Sequence, residues 1–246
     1  MRCTSGLFVI EACNVCPESM LACAMQRTLL VVAKRPAAGQ TKTRLCPPLS
    51  GAAAAALYEC FLRDTLDIMR QVAGVARGIG YLPEDAIDYF HQLAPDMALT
   101  PQRGANLGER LDHLLTNALS AGARQAVVID SDSPTLPAKY LTMAFLALDG
   151  EADVVLGPCE DGGYYLIGLK RPQPRLLREV EMSTPFVVRD TLALASELEL
   201  RAALLPQWYD VDTVAELNRL RVELRETPIE VARHTRAMLN GEARDI

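Results

Sequence analysis

The sequence has few of the features that mark a nucleic-acid-binding or membrane-embedded protein. Its 25 Lys and Arg residues are outnumbered by 31 Asp and Glu residues, which gives a formal net charge of -6. An acidic balance argues against broad binding to nucleic acid or to an anionic membrane, because both need clustered cationic side chains. No apolar run approaches the roughly 18–20 residues that cross a bilayer. We therefore expect neither a nucleic-acid partner nor a membrane span.

Cysteine is present, but its distribution does not predict a disulfide framework. Three of the 7 cysteines are scattered through predicted helices and strands, and a chain of 246 residues buries a core without covalent cross-links. We therefore predict a reducing, cytoplasmic environment. The other four cysteines lie within residues 1–26, which show no clear periodicity. We interpret residues 1–26 as a disordered leader or an over-extended start, and residues 27–246 as a single domain with C-terminal helices.

From Thr28 onward, short strand-like runs alternate with longer helical patterns. Ser50 and Asn106 each precede such a helical pattern and are predicted N-caps. This alternation predicts right-handed βαβ units, and hence an α/β fold with a mostly parallel sheet covered on both faces. Ligands of such sheets bind beyond the carboxyl ends of the strands. The predicted strands are residues 29–33, 79–82, 98–102, 126–129 and 153–156.

The loop that follows the first strand, residues 34–45, is rich in cations, and we call it the first loop. It contains Lys34, Lys42 and Arg44 together with Gly39. Cationic side chains and backbone N–H groups in such a loop suit a polyphosphate, although a solvated surface loop is the alternative. It is not a Walker A loop, because the second glycine of that motif is absent. We expect Lys42 and Arg44 to be exposed, so that their replacement weakens nucleotide binding more than stability.

Acidic residues follow the fourth strand and recur near the C-terminus. Asp130 and Asp132 come directly after the fourth strand. Asp210 and Asp212 belong to a second acidic motif, which ends at Thr213. Carboxylates at strand ends can hold Mg²⁺ or Mn²⁺, which prefer oxygen ligands. Thr213 has the spacing of a capping box, but a cap does not account for the two preceding aspartates.

A further acidic segment, Asp161-Gly162-Gly163, follows the fifth strand. Paired glycines let a backbone come close to a ligand, and Asp161 could contact sugar hydroxyls or act as a base. A hairpin turn explains the same three residues equally well.

Taken together, five motifs resemble, in order along the chain, the DUF2064 family of glycosyltransferase-like proteins. The resemblance covers about residues 28–224, and it implies the three-layer, Rossmann-like GT-A fold of nucleotide-diphospho-sugar transferases. The family is also similar to 2-phospholactate guanylyltransferase, so the motifs are specific for the fold and not for one reaction. The motifs are KxPxxGxxKTRL from Lys34, GxxLGxRL from Gly104, DSDSP from Asp130, GPxxDGGYYLIG from Gly157 and WxDVDT from Trp208.

The resemblance also implies which residues bind the nucleotide. The first loop would bind the nucleotide and its phosphates, and a Gln followed by Leu-Gly would read the base. The residues that match these elements are Lys34, Gly39, Lys42, Arg44, Gln102, Leu107 and Gly108.

The metal and the second substrate are assigned by the same resemblance. Asp130 and Asp132 would hold Mg²⁺ or Mn²⁺, with Asp212, or alternatively Asp210, as the later ligand. The segment that would face the sugar or acceptor is Asp161, Gly162 and Gly163.

Two reactions are compatible with these motifs. A metal-dependent glycosyltransferase would bind a nucleotide-diphospho-sugar, with Lys42 and Arg44 on the diphosphate and Asp161 as base for a small-molecule acceptor. A nucleotidyltransferase would bind an NTP, and a phosphorylated small acid would attack the α-phosphorus and release pyrophosphate. The family naming favours the first reaction. A non-catalytic nucleotide-binding module is a third possibility, against which the retention of every acidic and cationic motif argues.

Overall fold

The computed structural model describes residues 27–242, and the prediction for residues 1–26 lies outside the described part of the chain. A seven-stranded sheet has the order β3-β2-β1-β4-β6-β5-β7. Neighbouring strands are parallel except where β6 is involved, because β6 runs antiparallel to both β4 and β5. The strands are β1 (Arg27–Lys34), β2 (Ala76–Leu82), β3 (Ala98–Pro101), β4 (Gln125–Ile129), β5 (Val154–Pro158), β6 (Tyr164–Leu169) and β7 (Ala202–Leu204).

Three of the described helices begin at capping residues that the sequence indicates. The side chain of Ser50 accepts a hydrogen bond from Ala53 N, and that of Asn106 accepts one from Glu109 N. Thr213 forms the predicted capping box. Within residues 27–242, none of the helices combines the length and the apolar character that a membrane-crossing segment needs. The helices are α1 (Gly51–Arg70), α2 (Ile87–Leu93), α3 (Leu107–Ser120), α4 (Ala138–Asp149), α5 (Pro174–Arg178), α6 (Val187–Glu197), α7 (Val214–Glu226) and α8 (Arg233–Glu242).

The core consists of two apolar layers on opposite faces of the sheet. Side chains alternate along a strand, so Leu29 and Val31 of β1 pack on one face with α1, α2 and α4. Leu30 packs on the other face with α3, α5 and α6. The structure thus confirms the predicted three-layer α/β fold with a mostly parallel sheet.

The two C-terminal helices pack against α1 around a buried carboxylate. Asp64 of α1 accepts hydrogen bonds from His234 N (3.0 Å) and Thr235 N (2.9 Å), the first turn of α8. Burial raises the pKa of Asp64, although these bonds act in the opposite direction. A side chain of α1 therefore caps α8, and this contact helps to fix the last helices to the sheet layers.

Candidate functional site

A pocket of about 540 Å³ lies at the carboxyl ends of β1 and β4. Its volume is typical of small-molecule sites, and its position follows the strand-end rule for parallel sheets. The first loop forms one side, and the acidic segment after β4 forms another. The predicted site residues that line the pocket are Lys34, Lys42, Arg44, Gln102, Leu107, Asp130, Asp132 and Asp212.

The ammonium group of Lys42 lies between two carboxylates of the pocket. Its Nζ is 2.8 Å from Asp132 Oδ1 and 2.7 Å from Asp212 Oδ1. Burial alone would lower the pKa of Lys42, but the two carboxylates more than offset it and the pKa is raised. The Lys42 side chain is only 5% exposed. The expectation that Lys42 is exposed is therefore wrong. The first loop places its side chain beneath the pocket surface, against Asp132 and Asp212, whose proximity to Lys42 arises only in the folded chain.

Arg44 is the exposed cation of the same loop. Its side chain is 69% exposed, and its Nη1 lies 3.3 Å from Asp212 Oδ2. Burial raises the pKa of Asp212, but Lys42 and Arg44 lower it overall. The exposure predicted for Arg44 is confirmed, so the two cations of the first loop differ in what they offer to a ligand.

Asp130 and Asp210 form no ion pair with any residue in the described range 27–242. Burial raises the pKa of Asp130, and the nearby Asp132 and Asp210 raise it further. Burial, together with Asp212 and Asp161, raises the pKa of Asp210 to about 6. Burial and the neighbouring acids therefore favour the protonated form of both carboxyl groups, and the opposing effect of Lys42 on Asp130 does not offset this.

The predicted metal ligands Asp130, Asp132 and Asp212 do not converge on one point. Among the described residues, none of these three aspartates belongs to a group of three or more potential metal-ligating side chains whose ligand atoms all lie within 4.8 Å of one another. In addition, the ammonium group of Lys42 lies between Asp132 and Asp212. This arrangement does not fit a metal ion on those three carboxylates.

Asp210 lies in a different group of metal-ligating side chains. Its carboxylate, that of Asp161 and the thiol of the buried Cys159 have ligand atoms within 4.8 Å of one another. Of the two alternatives for the later ligand, Asp212 pairs with Lys42 and Arg44, whereas Asp210 forms no ion pair among the described residues. The requirement for Mg²⁺ or Mn²⁺ stays a prediction.

Gln102 is held by the backbone of the neighbouring strands. Its Nε2 donates to Ala33 O (3.2 Å) and to Gly80 O (2.7 Å), and the residue is 8% exposed. Two carbonyl acceptors fix the orientation of the amide, so its NH₂ group is occupied. Only Oε1 is then left to contact a base. The first role that the geometry supports for Gln102 is to link the ends of β1 and β2 through these two hydrogen bonds.

The Leu107-Gly108 pair divides between the pocket and the core. Leu107 lines the pocket and is 37% exposed. Gly108 is buried, and a Cβ atom there would lie 2.1 Å from Leu177 O, so this glycine permits close packing of α3 against α5. Arg110 of the same motif also lines the pocket, although it was not among the predicted site residues. Gly39, with a positive φ of 73°, turns the first loop without lining the pocket.

The Asp161-Gly162-Gly163 segment forms the turn of a hairpin between β5 and β6, which is the alternative explanation that the sequence left open. Gly162 has φ 92°, and a Cβ atom on it would lie 2.0 Å from Pro185 O. The close approach that this glycine permits is therefore to the chain itself. Asp161 Oδ1 accepts a hydrogen bond from Gly163 N (2.9 Å), and none of the three residues lines the pocket.

Tyr58 of α1 is a pocket residue that the sequence reasoning missed. Its hydroxyl accepts a hydrogen bond from Lys34 N (3.1 Å) and bonds Ser131 Oγ (2.9 Å). Burial, with a contribution from Asp132, raises the pKa of Tyr58 to about 12, so the hydroxyl stays protonated. A tyrosine within the apolar stripe of α1 was the available signal. Tyr58 ties that helix to the ends of β1 and β4.

We expect Tyr58→Phe to reduce the free energy of unfolding by about 1–3 kcal/mol, because it leaves the N–H group of Lys34 and the buried hydroxyl of Ser131 without their partner. Urea unfolding of Tyr58→Phe, Ser131→Ala and the double variant forms a double-mutant cycle. The double variant should lose less unfolding free energy than the sum of the two single losses, because both single variants remove the same hydrogen bond. Strictly additive losses would show that the Tyr58–Ser131 hydrogen bond adds nothing.

The fold and the position of the pocket define a protein of the nucleotide-diphospho-sugar transferase fold class. Residues 65–184 match the model of a family described as "Uncharacterized protein conserved in bacteria (DUF2064)". The matched range contains the three motifs that begin at Gly104, Asp130 and Gly157, and the match confirms the family resemblance over that part of the chain.

Solved structures share the fold. A candidate nucleotide-diphospho-sugar transferase from Desulfovibrio desulfuricans G20 is 29% identical, with a TM-score of 0.83 over 89% of this chain and 96% of that one. A 4-diphosphocytidyl-2C-methyl-D-erythritol synthase from Anaerococcus prevotii DSM 20548 is 11% identical, with a TM-score of 0.55 over 83% and 99%. A CMP:2-keto-3-deoxy-manno-octonic acid synthetase complexed with CTP is 12% identical, with a TM-score of 0.54 over 82% and 99%. No curated protein shows significant sequence similarity to the chain.

Proposed function

We propose that the protein is a glycosyltransferase that takes a sugar from a nucleotide-diphospho-sugar and transfers it to a small-molecule acceptor. The observation that carries the proposal is the pocket itself, which has an exposed cation, Arg44, on one side and the acidic segment after β4 on the other. Its volume of about 540 Å³ accommodates a ligand of nucleotide size. The similarity to the D. desulfuricans protein supports the same class of substrate.

In this proposal the diphosphate lies against the first loop. Arg44 and Lys34 are exposed and line the pocket, so they can approach a diphosphate and stabilise the charge that develops on the departing nucleoside diphosphate. Lys42 lies beneath the pocket surface and contributes indirectly, because its ammonium group orients Asp132 and Asp212 at the pocket wall.

In this proposal Asp161 is the candidate base for an acceptor hydroxyl. It is exposed and lies next to Asp210, outside the lining of the pocket, so the acceptor would extend beyond the pocket toward the β5–β6 hairpin. Mg²⁺ or Mn²⁺ remains a predicted cofactor, and no step is assigned to it because Lys42 bridges two of its predicted ligands. The cytoplasmic location likewise remains a prediction.

A second candidate function is nucleotidyl transfer from an NTP to a phosphorylated small acid. It is favoured by the three exposed cations at the start and end of the first loop, Lys34, Arg35 and Arg44, since a triphosphate carries more negative charge than a diphosphate. The leaving group would be pyrophosphate, and the cations would stabilise it.

The two reactions are separated by their products and by the nucleotide that binds. We expect UDP- or GDP-sugars to raise the melting temperature, and incubation with them to release nucleoside diphosphate, detected by anion-exchange chromatography. Stabilisation by NTPs alone, with release of pyrophosphate, would replace the first proposal by the second.

Arg44→Gln should weaken nucleotide binding by about tenfold, because it removes a charge-assisted contact to phosphate. The matched control is Arg189→Gln, which removes an equally exposed arginine outside the pocket. If both variants bind nucleotide as the unaltered protein does, the first loop is a surface feature.

A further inference from the structure

Lys42 occupies the position that a cation bound by Asp132 and Asp212 would take. Its Nζ lies at hydrogen-bond distance from one oxygen of each carboxylate, 2.8 Å and 2.7 Å away. These two acids come from separate parts of the sequence, one after β4 and the other before α7. The lysine therefore joins the first loop to both acidic motifs of the pocket.

The first loop holds this ammonium group in place from its own side. Lys42 has a left-handed backbone conformation (φ 50°, ψ 38°), which costs free energy for a residue with a Cβ atom. The surrounding turns support it, since Leu45 N donates to Lys42 O (3.0 Å) and the buried Thr41 hydroxyl donates to Ala37 O (3.1 Å). Beneath the ammonium group, the ring of Phe61 has its centroid 5.9 Å from Nζ. Position, burial and backbone conformation all point to a cation that is built into the site.

A divalent ion cannot share these two oxygens with Lys42, because the ammonium group already contacts both and its charge would repel a second cation. We infer that Lys42 is the resident cation of the Asp132–Asp212 pair, and that it excludes a divalent metal ion from this pair in the nucleotide-free protein. The inference concerns the free protein, so it does not depend on which group the enzyme transfers.

The test is Mn²⁺ binding without nucleotide, measured by the loss of the free Mn²⁺ signal in electron paramagnetic resonance. Lys42→Met keeps the length and shape of the side chain and removes its charge. We expect it to bind Mn²⁺ at least about tenfold more tightly than the unaltered protein. The matched control is Arg44→Gln, which removes the exposed charge beside the same Asp212 and should change the affinity by less than about fivefold. Adding Asp212→Asn to Lys42→Met should abolish the gain.

A second comparison keeps the inference testable if Lys42→Met does not fold. In the otherwise unaltered protein, Asp212→Asn should change Mn²⁺ affinity by less than about fivefold, because Lys42 already excludes the metal from that carboxylate. A loss of more than about tenfold would overturn the inference, since Asp212 would then be a metal ligand with Lys42 present. So would a folded Lys42→Met variant that gains no affinity. Neither result would bear on the transferase proposal, because nucleotide and product are absent from the measurement.

Discussion

Gly162→Ala is expected to reduce the free energy of unfolding by about 3 kcal/mol or more. The new Cβ atom would lie 2.0 Å from Pro185 O, and the backbone has φ 92°, where a side chain is strained whatever the space around it. The opposing atom belongs to the main chain, and Val188 N donates to Gly162 O at 3.0 Å, so the two segments cannot separate without losing that bond.

Gly163→Ala is the matched control for this prediction. Its nearest obstacle is Asp161 Oδ1 at 3.2 Å, at the end of a side chain that can move, and its φ is not positive. The expected loss is about 1 kcal/mol or less. Urea unfolding of the two variants measures the difference directly. Equal midpoints would mean that the hairpin turn and the segment before α6 do not pack as the structure places them.

Gly162 also shows where sequence reasoning reaches its limit. The pattern Asp-Gly-Gly permitted either a close approach to a ligand or a hairpin turn, and only the tertiary structure reveals that the approach is to Pro185. The antiparallel direction of β6 has the same origin. β6 is not among the predicted strands, and its direction is set by pairing with β4, some 40 residues earlier, and by a short connection to β5.

Local signals were sufficient for the elements whose limits depend on nearby residues. Ser50, Asn106 and Thr213 each begin a helix, because a capping side chain needs only the N–H groups of the next turn. The strand-end rule likewise brings Lys34 and Asp130 to one pocket from separate parts of the chain, since parallel strands end at the same edge.

The pairing of charges within the pocket was not predictable in the same way. Lys42 and Arg44 are two residues apart in one cationic motif, yet one is buried between carboxylates and the other is exposed. The difference depends on how the first loop folds over Asp212, a residue about 170 positions away. Composition therefore predicts a cationic loop, whereas only the fold determines which of its charges a ligand can reach.

The double variant Asp132→Asn/Asp212→Asn is expected to lose about 2–4 kcal/mol of unfolding free energy. It leaves the ammonium group of Lys42, only 5% exposed, without a carboxylate partner. Breaking a buried ion pair from one side costs several kcal/mol, and the smaller figure reflects carboxylates that are themselves 32% and 35% exposed. Each single variant should lose less than half of this amount, because one partner remains.

Adding Lys42→Met to that double variant should restore most of the lost stability. The triple variant has no uncompensated charge at this point, and a methionine fills the same space against Phe61. Thermal and urea unfolding of the unaltered protein, the double variant and the triple variant, with circular dichroism as the signal, measures this recovery. If the triple variant is no more stable than the double variant, the loss comes from packing or hydrogen bonds of the carboxylates. If it recovers, the Lys42 charge causes the loss, and the acidic pair serves first to hold a lysine.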